Sequence, residues 1–274
     1  MTESTESKKT IFSVRGLKKI FPAVKSGNNS DKISGKCEAC DFEALAGVDL
    51  DIFEAETTLI AGANGSGKTL LMKILAGLLE PSEGEIHYRG RPLKECKKLL
   101  RPSIGLVFQD ADTQILGETV EEDIRFGPEN LKLGKEEIQK RLKETLASLA
   151  LEDKRDFPSR HLSGGEKRRL ATAGVLAMGC DTIIMDEPFA NLDWPGVVQV
   201  LKIITVLKEE KKTVIILTHE LEKVLAFADR LVILAGGKVR DSGESEAVLD
   251  RLQSEWGVRD PRKIYRRAAD CTWL

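Results

Sequence analysis

The chain has 274 residues, 41% of them apolar, with 42 Lys and Arg against 44 Asp and Glu for a formal net charge of -2. That length suits one large domain, or one with a small appendage, and the balanced charge lacks the strongly basic face of a nucleic-acid binder. Five scattered cysteines, an odd number, fit a reducing compartment better than a disulfide framework.

In chain order, the polar start Met1 to Thr10 lacks the apolar core of a signal peptide. Ile11 to Val14 predicts a short strand, and the stretch from Lys25 to Asp41, rich in Gly, Ser, Asn and charge, reads as an inserted loop before alternation resumes at Leu45 to Phe53. Within that loop Cys37-Glu38-Ala39-Cys40 has the spacing of half a zinc site, which a twofold dimer could complete. No histidine or second pair lies nearby in sequence, so a surface loop with two free thiols is the simpler reading.

The next segment carries chemistry. The apolar run Thr57 to Ala61 leads into Gly62-Ala63-Asn64-Gly65-Ser66-Gly67-Lys68-Thr69, and the helix-like Leu70 to Leu75 follows. This is the pattern of a phosphate-binding loop. Gly62, Gly65 and Gly67 allow a turn tight enough for the amides around Asn64 and Ser66 to point at a triphosphate, and the helix dipole adds positive potential. Lys68 supplies charge for the outer phosphates, and Thr69 a hydroxyl for Mg²⁺.

Gly77 and Pro81 end that helix, and strands are predicted at Glu85 to Tyr88 and Ile104 to Phe108. Helical periodicity runs from Thr119 to Leu149, with Lys135 to Leu149 amphipathic, and resumes from Gly164 to Met178. An α/β alternation then returns: strand Thr182 to Met185, helix Val197 to Lys208, strand Thr213 to Leu217, helix Glu220 to Phe227, strand Arg230 to Leu234. A helix-rich block therefore interrupts a parallel sheet. After Ser242 comes a short tail, with one helix candidate from Glu246 to Gln253 and basic residues Arg259, Arg262, Lys263, Arg266 and Arg267. The apolar runs are strand-length, short of the roughly 20 residues that span a bilayer.

Two further motifs complete a site. The strand Thr182 to Met185 delivers Asp186 and Glu187 at its carboxyl end, where ligands of open α/β sheets bind. Asp186 suits Mg²⁺, and Glu187 suits polarisation of an attacking water. Leu162-Ser163-Gly164-Gly165-Glu166 opens a helix with a capping serine and two glycines, which makes a second anion-binding end. One triphosphate does not need two such ends, so the second is expected to serve a neighbour's nucleotide.

These motifs, in this order, resemble the ATPase subunit of an ATP-binding cassette (ABC) transporter across roughly residues 10 to 240. Gly62 to Thr69 resembles the Walker A loop, Ile183 to Glu187 the Walker B strand, Leu162 to Glu166 the signature motif and Ala190-Asn191-Leu192-Asp193 the D-loop. Gln109 matches the Q-loop glutamine, and His219 in Leu217-Thr218-His219-Glu220 the switch histidine. Phe21 stands where an aromatic stacks on adenine; the family more often has Tyr there. Glu166 stands where Gln is common. The resemblance implies a P-loop NTPase of α/β class with a RecA-like core, an antiparallel β subdomain and an inserted α-helical subdomain at about 109–179. On that reading residues 1–241 form the nucleotide-binding domain, and 242–274 a short C-terminal extension.

It also implies an ATPase using ATP and Mg²⁺. Thr69, Gln109 and Asp186 would hold the metal; Glu187, His219 and Gln109 would be catalytic; Asp193 and a partner's Ser163, Gly164 and Gly165 would close the site. Phe108 to Ile115, Thr119 to Ile124 and Phe126 to Leu131 are similar to ATPases of energy-coupling factor (ECF) importers of vitamins and metal ions, the cobalt and nickel type among them. The implied partners are a second ATPase subunit, identical or not, a membrane-spanning coupling subunit and a substrate-binding membrane subunit, with no nucleic acid. The implied place is the cytoplasmic face of the membrane. A soluble ABC ATPase of translation or DNA repair is the competing expectation, although two cassettes in one chain or long coiled-coil insertions would then be usual.

Overall fold

The computed structural model describes residues 8–22 and 41–262. Cys37, Cys40, Lys263, Arg266 and Arg267 lie outside them, as do the inserted loop apart from Asp41 and the end of the tail.

The elements run β1 (Thr10–Phe21), β2 (Phe42–Phe53), β3 (Thr57–Ala61), α1 (Lys68–Leu75), β4 (Glu83–Tyr88), β5 (Arg91–Pro92), α2 (Lys97–Ser103) and β6 (Ile104–Val107). After these come α3 (Val120–Asn130), α4 (Lys135–Ser148), α5 (Gly164–Met178), β7 (Thr182–Asp186), α6 (Trp194–Glu209), β8 (Thr213–Thr218), β9 (Arg230–Ala235), β10 (Lys238–Gly243) and α7 (Ser245–Asp250).

Two sheets form. One is antiparallel, in the order β2-β1-β4-β5; the other, β10-β9-β3-β8-β7-β6, is parallel except for β10. The parallel strands are mostly apolar and almost wholly buried because both faces are covered, and their alternation divides the core in two. Leu59, Ile183, Met185, Val214, Ile216, Leu231 and Ile233 pack with Ile124 and Leu142 of the helical block and with α6. Ile60, Ile184, Ile215, Leu217, Val232 and Leu234 face α1 and the antiparallel sheet. The site therefore sits over a sheet clamped on both sides.

The β9–β10 hairpin turns through Gly236 and Gly237, both at positive φ (57° and 69°), as a two-residue turn requires. The Gly237 carbonyl accepts from the Ala46 amide at 2.8 Å, which joins the two sheets. From the C-terminal segment Val248, Leu249 and Val258 enter the first core cluster. No helix among the described residues is long and apolar enough to cross a membrane.

Three expectations change. Strand Ile11 to Val14 extends to Phe21, because β1 pairs on both edges; a register shift around Gly16 (φ 57°) breaks the alternation that sequence reading relies on. Helix Val197 to Lys208 begins earlier, at Trp194, since the Asp193 side chain caps it by accepting from the Gly196 amide at 3.0 Å. Glu220 to Phe227 is not an α-helix but two short 3-10 turns, Leu221–Lys223 and Leu225–Phe227. Asp229 is bonded to Thr57 through both its amide and its carboxylate, so the chain must close quickly onto β9.

Candidate functional site

The phosphate loop links β3, buried at every residue, to α1. Its glycines have separate physical reasons. A Cβ on Gly62 would lie 2.2 Å from the Leu234 carbonyl oxygen, one on Gly67 would lie 2.6 Å from Leu45 Cδ2, and Gly65 has φ 80°. The first turn of α1 contains no acidic residue, so the positive end of its dipole is left for an incoming anion. Lys68 is 6% exposed and straps the loop, donating to the carbonyls of Gly62 (2.7 Å) and Ala63 (3.2 Å). Ser66 Oγ is buried without a partner, while Asn64 and Thr69 are exposed.

The acidic end of β7 meets this loop although β8 lies between β3 and β7. Thr69 Oγ1 donates to Asp186 Oδ2 at 2.7 Å, and Asp186 Oδ1 is buried with no partner. Burial pushes the Asp186 carboxyl above its usual range; the Thr69 bond opposes this, and the charge of Glu187 adds to it. An orphaned carboxylate oxygen beside a hydroxyl is a donor set that fits a hard divalent cation. Among the described residues no three His, Cys, Asp or Glu gather to hold a metal by themselves, so such an ion would need phosphate or water ligands as well.

Glu187 is held from several sides. It is 5% exposed and sits at φ 47°, a conformation unusual for a residue with a side chain. Its Oε2 accepts from Thr218 Oγ1 (3.0 Å) and the His219 amide (3.3 Å), and its Oε1 lies 2.9 Å from His219 Nδ1 and 3.4 Å from Lys68 Nζ. The parallel β7–β8 pairing, with Asp186 opposite Leu217, sets this contact, and the Glu187 amide extends it by donating to the Leu217 carbonyl at 2.8 Å. Lys68, Thr69, Asp186, Glu187 and His219 therefore form one connected cluster.

Gln109 follows β6 with an exposed side chain and joins the cluster through its backbone. Arg168 of α5 donates to the Gln109 carbonyl at 2.6 Å and to the Glu187 carbonyl at 2.8 Å. Neither Arg168 nor Thr218 was expected from the sequence, because Lys167-Arg168-Arg169 reads as a solvated helix face and Thr218 as the end of a strand. Gln114 is a further unexpected brace: it donates to the Leu106 carbonyl (2.9 Å) and the Ala171 carbonyl (3.3 Å) and accepts from the Phe108 amide (3.0 Å).

The second helix end lies apart. Ser163 and Glu166 form a reciprocal capping box, and Gly164 and Gly165 face open space. With Asn191 and Asp193 they line a surface cavity of about 470 Å³ to which no residue of the phosphate loop contributes. Phe21 ends β1, 39% exposed, with Lys19 Nζ 5.5 Å from its ring centre.

The family model described as ABC transporter matches residues 45–190. The energy-coupling factor transporter ATP-binding protein EcfA of Methanocaldococcus jannaschii is 39% identical over 213 residues, 77% of this chain and 76% of that protein. The structure of cbiO1 from Clostridium perfringens, described as part of the ABC transporter complex cbiONQ, superposes with a TM-score of 0.75 at 34% identity, covering 89% of this chain and 92% of that one. A dimeric post-hydrolysis structure of the ATP-binding cassette MJ0796, bound to ADP and Pi, gives a TM-score of 0.71 at 27% identity over 86% of this chain and 99% of that one. The chain belongs to the ABC transporter ATP-binding family, as an ATP-hydrolysing subunit of energy-coupling factor type.

Proposed function

We propose that Glu187 is the base for ATP hydrolysis at the Gly62–Thr69 loop, in a dimer whose second cassette supplies Ser163, Gly164 and Gly165 to the same nucleotide. The observation that carries this is the Glu187 carboxylate, buried beside Lys68 and fixed by Thr218 and His219. Mg²⁺, held by Thr69, Asp186 and the side chain of Gln109, would neutralise charge on the phosphate oxygens. Lys68 exchanges its loop carbonyls for the outer phosphates, and the loop amides with Asn64 and Ser66 cradle the rest. Glu187 orients a water and accepts its proton; His219, bonded to the same carboxylate, holds it in place and faces the terminal phosphate. Phe21 stacks on adenine, and Asp193 borders the contact between cassettes.

The cassette spans residues 1–241, and 242–274 is a short C-terminal extension. The helical block at about 109–179 passes the closing of the dimer to a membrane-spanning coupling subunit on the cytoplasmic face. A separate membrane subunit binds the substrate, a vitamin or metal ion. The names of the relatives support import over a role in translation or DNA repair. In Glu187→Gln, turnover should fall by about 10²- to 10⁴-fold, the range for a positioned base, while ATP binding persists and the dimer stays closed. Turnover equal to wild type in that variant removes the assignment.

A further inference from the structure

We propose that Arg168 is a positioning residue which ties the Gln109 loop to the backbone of Glu187, so that the helical block and the base shift together. Arg168 lies in the second turn of α5, five residues beyond Ser163, and is 6% exposed. Its two terminal nitrogens donate to different segments: Nη1 to the Glu187 carbonyl at 2.8 Å and Nη2 to the Gln109 carbonyl at 2.6 Å. Among the described residues no carboxylate lies within ion-pair distance of it. Burial lowers its pKa from the ordinary value, with the more distant charge of Asp110 acting against this. A guanidinium nevertheless stays charged near neutral pH.

Burying such a group beside neutral carbonyls alone is costly, and an apolar side chain would fill the space without that cost. What the guanidinium adds is a planar fork that spans two backbone segments at once. The Glu187 peptide is then gripped at both ends, by the Leu217 carbonyl at its amide and by Arg168 at its carbonyl. Its φ of 47° is held by those bonds. Any rotation of α5 that follows engagement of Ser163 pulls on both Glu187 and Gln109.

This inference rests on the roles proposed above for Glu187 and Gln109, and the test separates the two. In the full chain purified with its membrane subunits, kcat and KM for ATP are measured for Arg168→Lys, Arg168→Met, Gln109→Ala and the Arg168→Met/Gln109→Ala pair. Lysine keeps the charge and loses the fork, so kcat should fall about tenfold with KM within about twofold. Arg168→Met should cost about thirtyfold in kcat alone but only about tenfold when Gln109 is already Ala, because the loss through the Gln109 side chain is then gone while the loss through Glu187 remains, the non-additivity of linked residues. Additive losses, an Arg168→Lys enzyme equal to wild type, or a raised KM at unchanged kcat overturns the linkage. If Arg168→Met does not fold, Arg168→Gln takes its place in the same cycle. Wild-type turnover in Gln109→Ala or Glu187→Gln breaks the underlying roles instead. Normal losses in both with additive Arg168 effects break this inference alone.

Discussion

Two helix N-termini in this chain are the proposed anion sites, and they are finished differently. At α1 the cap is Gly67, no acid sits in the first turn, and the adjoining Lys68 and Thr69 connect directly to Glu187 and Asp186. At α5 the Glu166 carboxylate already accepts from the Ser163 amide at 2.8 Å, and that bond holds its carboxyl below the usual range. The first end keeps its whole dipole for a ligand and has the chemistry within reach. The second shares its dipole with its own glutamate and opens onto solvent. A shared dipole attracts phosphate less strongly, which suits a contact that forms and breaks in each cycle of the proposed dimer.

The comparison breaks most readily at α1. Lys68→Met removes a charge-assisted bond to phosphate, worth about 1.5–3 kcal/mol, so ATP binding by the isolated chain should weaken about 10- to 150-fold in calorimetry. Unchanged affinity would mean that this end is not the primary phosphate site. Thr218→Val sharpens the difference by loosening Glu187 while leaving both helix ends intact. Its buried Oε2 would keep only the 3.3 Å bond from the His219 amide, at a stability cost of about 1–3 kcal/mol. Turnover should drop about tenfold, or about 1.4 kcal/mol in barrier, with ATP affinity preserved. A loss of affinity instead would show that Thr218 shapes the phosphate loop.

The smallest effect belongs to a control in the C-terminal segment. Arg251 donates to both oxygens of Asp241, at 2.8 and 3.0 Å, and holds that carboxyl below its usual range. A lowered folded pKa gives stability that is present above about pH 4 and lost as pH falls through the lowered value. Arg251→Ala should therefore melt slightly below wild type at pH 7, with the two curves merging as pH falls through the lowered value, and with ATP turnover unaltered. A gap that persists in acid would assign the effect to packing.

Much of this site was legible because its chemistry is local in sequence. Gly62 to Thr69 had to form a tight turn between a strand and a helix, and Asp186-Glu187 had to emerge at a strand end, so pattern and role coincide. The bonds that organise these pieces were not legible. Arg168 sits in a run of three basic residues, and only the packing of α5 against the Gln109 loop decides which one is buried. Gln114 and Thr218 act through backbone groups far away in sequence, which leave no periodic signature. In the fold, the apolar parallel strands announced themselves, whereas the bulged β1 and the paired 3-10 turns after His219 depend on neighbours that a local window does not contain.

The central claim is that the chain carries the phosphate-loop half of one nucleotide site and the Ser163 half of another. Gly165→Asp tests it most directly, because the position is open, so the carboxylate fits without a clash and favours its own helix end while repelling phosphate. Calorimetric ATP affinity of the isolated variant should match wild type while hydrolysis in the assembled complex is lost. ATP affinity lost already in the isolated chain, or full hydrolysis in the complex, would contradict the account.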